Sequence, residues 1–189
     1  MKILVIIDPQ NDFIEGGSLE VPGGKEALEK IIPLLDESWD RVIVSLDTHH
    51  PSNLGFREPE SELLRHIYRG KKVDKWPSHC LKDTRGWEIY KPLWEKLKEK
   101  EVEYVLKGED DCVDCYGMPA DIFKTLEEPE VEIYFTGLAE DFCVCESIKN
   151  VLEIAKDTWR IVLLREMTAG IGTRKEIDNK YRGLWIDML

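Results

Sequence analysis

The segment from Gly137 to Cys143 has the residue types expected around a cysteine nucleophile. An alternating apolar run over Val131–Thr136 precedes it and predicts a strand, and the residues from Ser147 to Lys156 predict an amphipathic helix. Cys143 therefore falls in the first turn of a predicted helix, where unpaired N–H groups and the helix dipole lower the pKa of a thiol. The same N–H groups could bind the oxyanion that forms when a thiolate attacks a carbonyl.

A buried structural cysteine is the other interpretation of Cys143, because most intracellular cysteines are of that kind. Glu140 and Asp141 lie beside it in the sequence and would disfavour a second negative charge. The segment alone leaves both interpretations open.

Asp47 and His49 directly follow a second apolar run, Arg41–Leu46. A spacing of two residues places both side chains on the same side of an extended chain. With a third ligand they could hold a metal in a site of two imidazoles and one carboxylate. His79 is the third ligand that we favour over His50 and His66. The alternative is a surface loop in which Asp47 caps a turn and the histidines are incidental.

Two further charged residues follow predicted strands. Asp8 ends the run from Met1 to Ile7, and Lys107 ends the run from Val102 to Leu106. Asp8 could act as a general base if it reaches the sulfur of Cys143, and Lys107 could stabilise either anion by its charge. The ordinary alternatives are a strand-end cap for Asp8 and a solvated surface lysine for Lys107.

Predicted strands and helices alternate along the chain. The strands cover 1–7, 41–46, 102–106, 131–136 and 159–164, with a last short strand or frayed tail at 184–189. The helices cover 25–35, 86–100, 118–126, 141–156 and 176–181, with one further short helix over 59–69. This order predicts an α/β three-layer sandwich with a mostly parallel sheet of five or six strands and helices on both faces. Because ligands bind beyond the carboxyl ends of parallel strands, the residues described above are expected to converge at one edge.

The composition excludes several classes of protein. Hydrophobic residues make up 42% and charged residues 34% of 189 residues, which indicates one folded domain over 1–189, with a long loop at about 48–86. The formal net charge of −12 argues against nucleic acid, since that affinity depends on Lys and Arg contacts. No run is long enough to span a membrane, and five cysteines without an export signal lead us to expect a cytoplasmic protein.

Taken together, these residues resemble the nicotinamidases, which belong to the isochorismatase-like cysteine hydrolases. The resemblance covers nearly the whole chain, and the order of its short motifs makes their combination specific. The matching segments are Asp8–Phe13, Gly16–Leu19, Val21–Gly24, Asp47–His49, Trp76–Cys80, Lys107–Gly108 and Gly137–Ala139, with Cys143 four residues further on.

The resemblance implies an enzyme that converts nicotinamide to nicotinate and ammonia through a thioester acyl-enzyme. Asp8, Lys107 and Cys143 would be its catalytic triad. Asp8 would take the thiol proton and return it to the leaving ammonia, while Lys107 holds the charges in register. The backbone N–H groups of Ala139 and Cys143 would form the oxyanion hole, and a cis peptide bond would precede Ala139.

The resemblance also implies one divalent metal ion, zinc with iron or manganese as alternatives, which binds the pyridine nitrogen and waters. Its protein ligands would be Asp47, His49 and His79. Phe13 would pack on the substrate ring, and Leu138 would contact the substrate. The expected partner is a small-molecule amide substrate. Whether the chain forms a homo-oligomer stays an open question.

Two stretches depart from the family pattern, so the identity of the amide substrate stays open. Thr48 stands where an aromatic residue is common, and a segment at 111–117 replaces a familiar serine-containing one. A related cysteine hydrolase of another small amide or ureido compound is therefore a second hypothesis. The long segment between the metal histidines adds further candidate ligands or lid residues, namely Glu58, Glu60, Glu62 and His66.

Cys112 and Cys115 form a C-x-x-C pair, which in isolation indicates zinc binding or redox chemistry. A closed zinc site needs about four ligands, and Cys80 is the one candidate for a third, so we favour ordinary thiols. A non-catalytic metal or redox protein is the remaining hypothesis of another class. Cys145 faces away from Cys143 on a helix, and we expect it in the core.

Overall fold

The computed structural model of the protein describes residues 1–56, 75–109 and 116–189. Within these ranges, six parallel strands form one sheet in the order β3-β2-β1-β4-β5-β6, so the winding direction reverses between β1 and β4. The α/β sheet expected from the sequence is confirmed, and it is parallel throughout. The strands are β1 (Lys2–Ile7), β2 (Arg41–Asp47), β3 (Glu103–Lys107), β4 (Val131–Leu138), β5 (Trp159–Ala169) and β6 (Asp187–Met188).

Helices cover both faces of the sheet because successive residues of a buried strand point to opposite sides. Leu4 and Ile6 of β1 pack into one cluster of buried residues, and Ile3, Val5 and Ile7 pack into another. The first cluster includes residues of α1 (Gly24–Leu34) and α2 (Lys91–Leu97), and the second includes residues of α3 (Cys145–Leu152) and α4 (Arg174–Tyr181).

The helix predicted over 86–100 begins only at Lys91. Residues 86–90 instead lie along the loop that follows β1 and contact it through main-chain hydrogen bonds. The N–H groups of Asn11 and Asp12 each donate to a carbonyl of this segment at 3.0 Å, and the N–H of Tyr90 donates to a carbonyl of the loop at 2.8 Å. These bonds replace helical ones and anchor the loop that carries Asp12 and its neighbours.

Other predicted elements are shorter than expected. The helix predicted over 118–126 is a 3-10 turn at Ala120–Phe123, and the one predicted over 141–156 divides into a π-turn at Glu140–Val144 and α3. The short helix expected over 59–69, the additional candidate ligands between 58 and 66, and the C-x-x-C pair lie outside the described residues. In the described ranges, no helix is both long enough and apolar enough to cross a membrane.

At Gly137, the main chain of β4 lies close to the main chain of Ile7 in β1. Its φ of +103° is one that other residues rarely adopt, and a Cβ there would lie 2.1 Å from the carbonyl oxygen of Ile7. We expect Gly137→Ala to lower the free energy of unfolding by about 3 kcal/mol, measured by denaturant titration. Gly183→Ala is the control, because it has a φ of +84° but nothing within 4 Å of the new Cβ. Equal losses in the two variants would contradict the steric explanation.

Candidate active site

The carboxyl ends of four neighbouring strands bring together the residues that the sequence singled out. Lys107 lies at the centre of this group, and its Nζ is 2.8 Å from Asp8 Oδ2, 2.8 Å from Asp47 Oδ1 and 3.4 Å from Cys143 Sγ. The parallel register pairs Asp47 of β2 with Lys107 of β3, which places the two side chains beside each other. All four residues are buried, so the interactions between their charges are only weakly screened by water.

Burial and neighbouring charges set the pKa of each group. Burial lowers the pKa of Lys107, but Asp47 and Asp8 outweigh it and raise that pKa well above its usual value. Burial alone would raise the pKa of Asp47, yet Lys107 and the adjacent imidazoles hold it well below its usual value. Burial raises the pKa of Asp8, and the charge of Asp47 adds to the rise although Lys107 opposes it. Asp8 is therefore the carboxylate of the group best able to accept a proton.

Cys143 lies in the π-turn rather than in the first turn of an α-helix. The N–H of Val144 donates to the carbonyl of Ala139, five residues back, at 3.1 Å. Burial raises the pKa of the Cys143 thiol well above its usual value, and Asp8 adds to the rise although Lys107 lowers it. The expected lowering by a helix start is therefore wrong in direction, because burial outweighs it in a closed site. A raised pKa favours the protonated thiol over the thiolate.

The carboxylates of Glu140 and Asp141 are bound by partners of their own. Arg174 donates to the two oxygens of Glu140 at 2.7 and 3.0 Å. The N–H groups of residues 171 and 172 donate to Asp141 at 3.0 and 2.8 Å. Since both charges are compensated in this way, the structure does not support the expectation that they disfavour a thiolate at Cys143.

Two buried polar residues that sequence reasoning did not assign hold the carboxylates in place. The side-chain amide of Gln10 accepts from the N–H of Asp47 and donates to its carbonyl, both at 2.8 Å. The hydroxyl of Ser45 donates to Asp8 Oδ1 at 2.6 Å. For Ser45, the signal in the sequence is that it is a single polar residue inside the apolar run of β2. Its partner, Asp8, cannot be predicted from the sequence alone.

Asp47, His49 and His79 form a cluster whose possible ligand atoms all lie within 4.8 Å of one another. The Nε2 atoms of His49 and His79 are 2.8 and 3.3 Å from Asp47 Oδ2. Their Nδ1 atoms lie 2.9 Å from the carbonyl of Gly108 and 2.7 Å from that of Pro77. An Nδ1–H that donates to a carbonyl leaves Nε2 with a free lone pair, which is the usual arrangement of metal-binding histidines. The donor set therefore fits a divalent metal ion.

A cavity of about 50 Å³ connects the cysteine with the metal cluster. The Phe13 ring lies on its wall, with its centroid 5.6 Å from that of His79, and Trp76 contacts Phe142 edge to face at 5.1 Å. A small cavity with aromatic walls and a few polar groups suits a single planar ring. Sequence reasoning gave no role in the cavity to several residues of the lining, which come from separate segments of the chain: Phe56, Tyr116, Phe142 and Ile171.

Leu138 is the last residue of β4 and Ala139 follows it, and their side chains have different surroundings. The peptide bond between Leu138 and Ala139 is cis, as the resemblance implies. Ala139 lines the cavity together with Cys143, and their roles as oxyanion donors stay a prediction. Leu138 is completely buried in the core and is not part of the cavity lining, so the structure does not support the expected contact between its side chain and a substrate.

Comparison with known proteins finds similarity over most of the chain. The profile of the isochorismatase domain matches residues 2–173. Nicotinamidase of Saccharomyces cerevisiae is 29% identical over 206 residues, which cover 96% of this chain and 94% of that protein.

Two solved structures are similar over the full chain. The yeast nicotinamidase Pnc1p bound to the inhibitor nicotinaldehyde has a TM-score of 0.80 and 25% identity, and the match covers 100% of this chain and 99% of that one. The pyrazinamidase of Pyrococcus horikoshii in complex with zinc has a TM-score of 0.75 and 24% identity, with 100% and 98% covered.

Proposed function

Since the chain belongs to the isochorismatase domain family, we propose that it is a metal-dependent cysteine amidohydrolase that converts nicotinamide to nicotinate and ammonia. The observation that carries the proposal is the position of Lys107, which contacts Asp8 and Asp47 at 2.8 Å and Cys143 at 3.4 Å. A base, a cation and a nucleophile thus meet beside a cavity that also holds the candidate metal ligands.

The first half of the reaction forms an acyl-enzyme. Cys143 gives its proton to Asp8, and this transfer leaves the total charge around Lys107 unchanged because a thiolate appears as a carboxylate is neutralised. The sulfur attacks the carbonyl carbon of the amide, and the N–H groups of Ala139 and Cys143 donate to the oxyanion. The C–N bond breaks as Asp8 returns the proton to the nitrogen, which leaves as ammonia. The product is a thioester on Cys143.

The second half regenerates the thiol. A water molecule attacks the thioester carbonyl as Asp8 accepts its proton. The C–S bond breaks, Asp8 returns the proton to the sulfur, and the product leaves as nicotinic acid, which becomes nicotinate by giving its remaining proton to the solvent. Lys107 stays charged in both halves, since its pKa lies well above its usual value.

Asp47, His49 and His79 would hold the metal ion, and we assign zinc, with iron or manganese as alternatives, because two imidazoles and a carboxylate suit it. When bound, the ion supplies positive charge and open positions for water or for a pyridine nitrogen. Phe13 packs on the substrate ring in this proposal. We further propose that residues 1–189 form one domain, since both core clusters pack on the same sheet.

Ammonia release from nicotinamide tests the proposal. We expect the zinc-loaded protein to release ammonia, and chelation to lower the rate about 100-fold or more until zinc is restored, because the ion's charge is lost from the site. His79→Ala should lower the zinc content measured by elemental analysis, whereas His50→Ala, which changes an exposed histidine, should not.

Two results would contradict the proposal. If the zinc-loaded protein releases no ammonia from nicotinamide, the substrate assignment is wrong. If chelated protein that contains no metal keeps its full rate, the metal requirement is wrong.

A further inference from the structure

The π-turn that carries Cys143 is held from outside by α4. The ammonium of Lys180 donates to the main-chain carbonyl of Asp141 at 2.5 Å. The hydroxyl of Tyr181 donates to the carbonyl of Glu140 at 2.6 Å, and it is buried. Two adjacent residues of one helix thus bind two adjacent carbonyls, which lie two and three residues before the cysteine.

The hydrogen-bond pattern of the π-turn explains why the Asp141 carbonyl is bound by a side chain. In an α-helix the N–H of Cys145 would donate to Asp141, four residues back. Here it donates to the carbonyls of Glu140 and Phe142 instead. The extra residue of the π-turn therefore diverts the ordinary donor away from the Asp141 carbonyl, and Lys180 provides a charged donor to that carbonyl.

The same ammonium also contacts the wall of the cavity. Lys180 Nζ lies 3.9 Å from the centroid of the Phe142 ring, a distance that allows a strong cation–π interaction. The ring of Phe142 in turn packs against Trp76 and Tyr116, with centroids 5.1 and 5.6 Å away, and all three rings line the cavity. Lys180 thus touches both residues that directly precede Cys143.

We propose that Lys180 and Tyr181 are positioning residues for the nucleophile. By fixing the main chain of the π-turn, they keep the sulfur of Cys143 within reach of Lys107 and Asp8. Their effect on turnover rests on the proposed function, whereas their effect on thiol reactivity rests on the geometry alone. Both residues lie beyond residue 173, where the match to the isochorismatase domain ends.

The test compares four variants with wild type at a temperature well below unfolding. The variants are Lys180→Met, Lys180→Arg, Tyr181→Phe and, as the matched control, Lys175→Met on an exposed position of the same helix. Two rates are measured: kcat for nicotinamide with its KM, and alkylation of Cys143 by iodoacetamide, followed by peptide mass spectrometry.

We expect Lys180→Met to lower kcat and the alkylation rate by about tenfold each, with a smaller change in KM, because a displaced sulfur loses its contact with Lys107. Tyr181→Phe should lower both rates in the same direction. Lys180→Arg should recover most of the loss, since it keeps a charged donor, and Lys175→Met should match wild type.

Three results would overturn the proposal. One is wild-type rates in both Lys180→Met and Tyr181→Phe, which includes the case where their melting temperatures fall while the rates do not. Another is an equal loss in Lys175→Met, which would indicate a general effect on α4. A third is a loss that Lys180→Arg does not recover. If wild type releases no ammonia from nicotinamide, the proposed function fails, while the alkylation rates still decide the positioning role.

Discussion

Replacing Cys143 by alanine is expected to abolish nicotinamide hydrolysis and to leave the fold intact. The thioester cannot form without the sulfur, and we expect turnover to fall by about 10⁴-fold or more. The residue is buried within the π-turn, and alanine is smaller than cysteine and fits without a clash, so the circular dichroism spectrum should not change. Ammonia release at saturating nicotinamide measures the effect.

Cys145→Ala is the matched control for this variant. Cys145 is also a buried cysteine, two residues further along, and its sulfur lies in the core that contacts α4. The control should lose some stability through the small cavity that it creates and should keep most of its turnover. Turnover in Cys143→Ala comparable to that of Cys145→Ala would rule out Cys143 as the nucleophile.

Replacing Lys107 by methionine is expected to remove activity and to destabilise the fold at neutral pH. The change leaves Asp8 and Asp47 buried and close together without the cation that bridges them at 2.8 Å. Breaking a buried ion pair in this way costs about 4 kcal/mol, and we expect turnover to fall by about 10³-fold because the thiolate loses its counter-ion. Denaturant titration of metal-free protein measures the first effect.

The pH dependence of this variant has a definite sign. Lys107 lowers the pKa of Asp8, whereas burial and Asp47 raise it, so without the lysine the folded-state pKa rises further above the unfolded value of about 3.9. When the pKa of a carboxyl group is higher in the folded than in the unfolded state, the free energy of unfolding falls as pH rises from the unfolded-state pKa to the folded-state pKa. The stability deficit of Lys107→Met should therefore shrink as pH falls from 7 toward 4.5, and Asp8→Asn in the same chain should reduce it at pH 7. A deficit independent of pH would contradict the account.

The convergence of the proposed catalytic residues and of the candidate metal cluster could be predicted from the sequence because parallel strands impose it. Asp8, Asp47 and Lys107 each end or directly follow an apolar run, and such runs pair side by side in a buried parallel sheet. His49 follows Asp47 at a spacing of two, and the structure brings its Nε2 to 2.8 Å from the Asp47 carboxylate. Strand ends therefore carry enough information to locate a site in an α/β fold.

The surroundings of Cys143 could not be predicted, because they depend on contacts that join distant parts of the chain. Burial, which reverses the expected shift in the thiol pKa, comes from packing that no local pattern shows. The partners of the Glu140 and Asp141 carboxylates, which include Arg165 at 3.3 Å from Glu140, lie 25 to 34 residues further on. The π-turn has no sequence signature that separates it from the start of a helix. For the same reason the aromatic wall, drawn from several loops, was not predicted as a unit.

The most direct test of the central claim is the intact mass of the protein during turnover. Zinc-loaded protein mixed with excess nicotinamide and quenched in acid within the first turnovers should show an added nicotinoyl group, and peptide mapping should place it on Cys143. The adduct should be absent from Cys143→Ala and should decay to nicotinate when nicotinamide is removed. Formation of nicotinate by Cys143→Ala at the wild-type rate, with no adduct in either protein, would contradict a thioester mechanism at this cysteine.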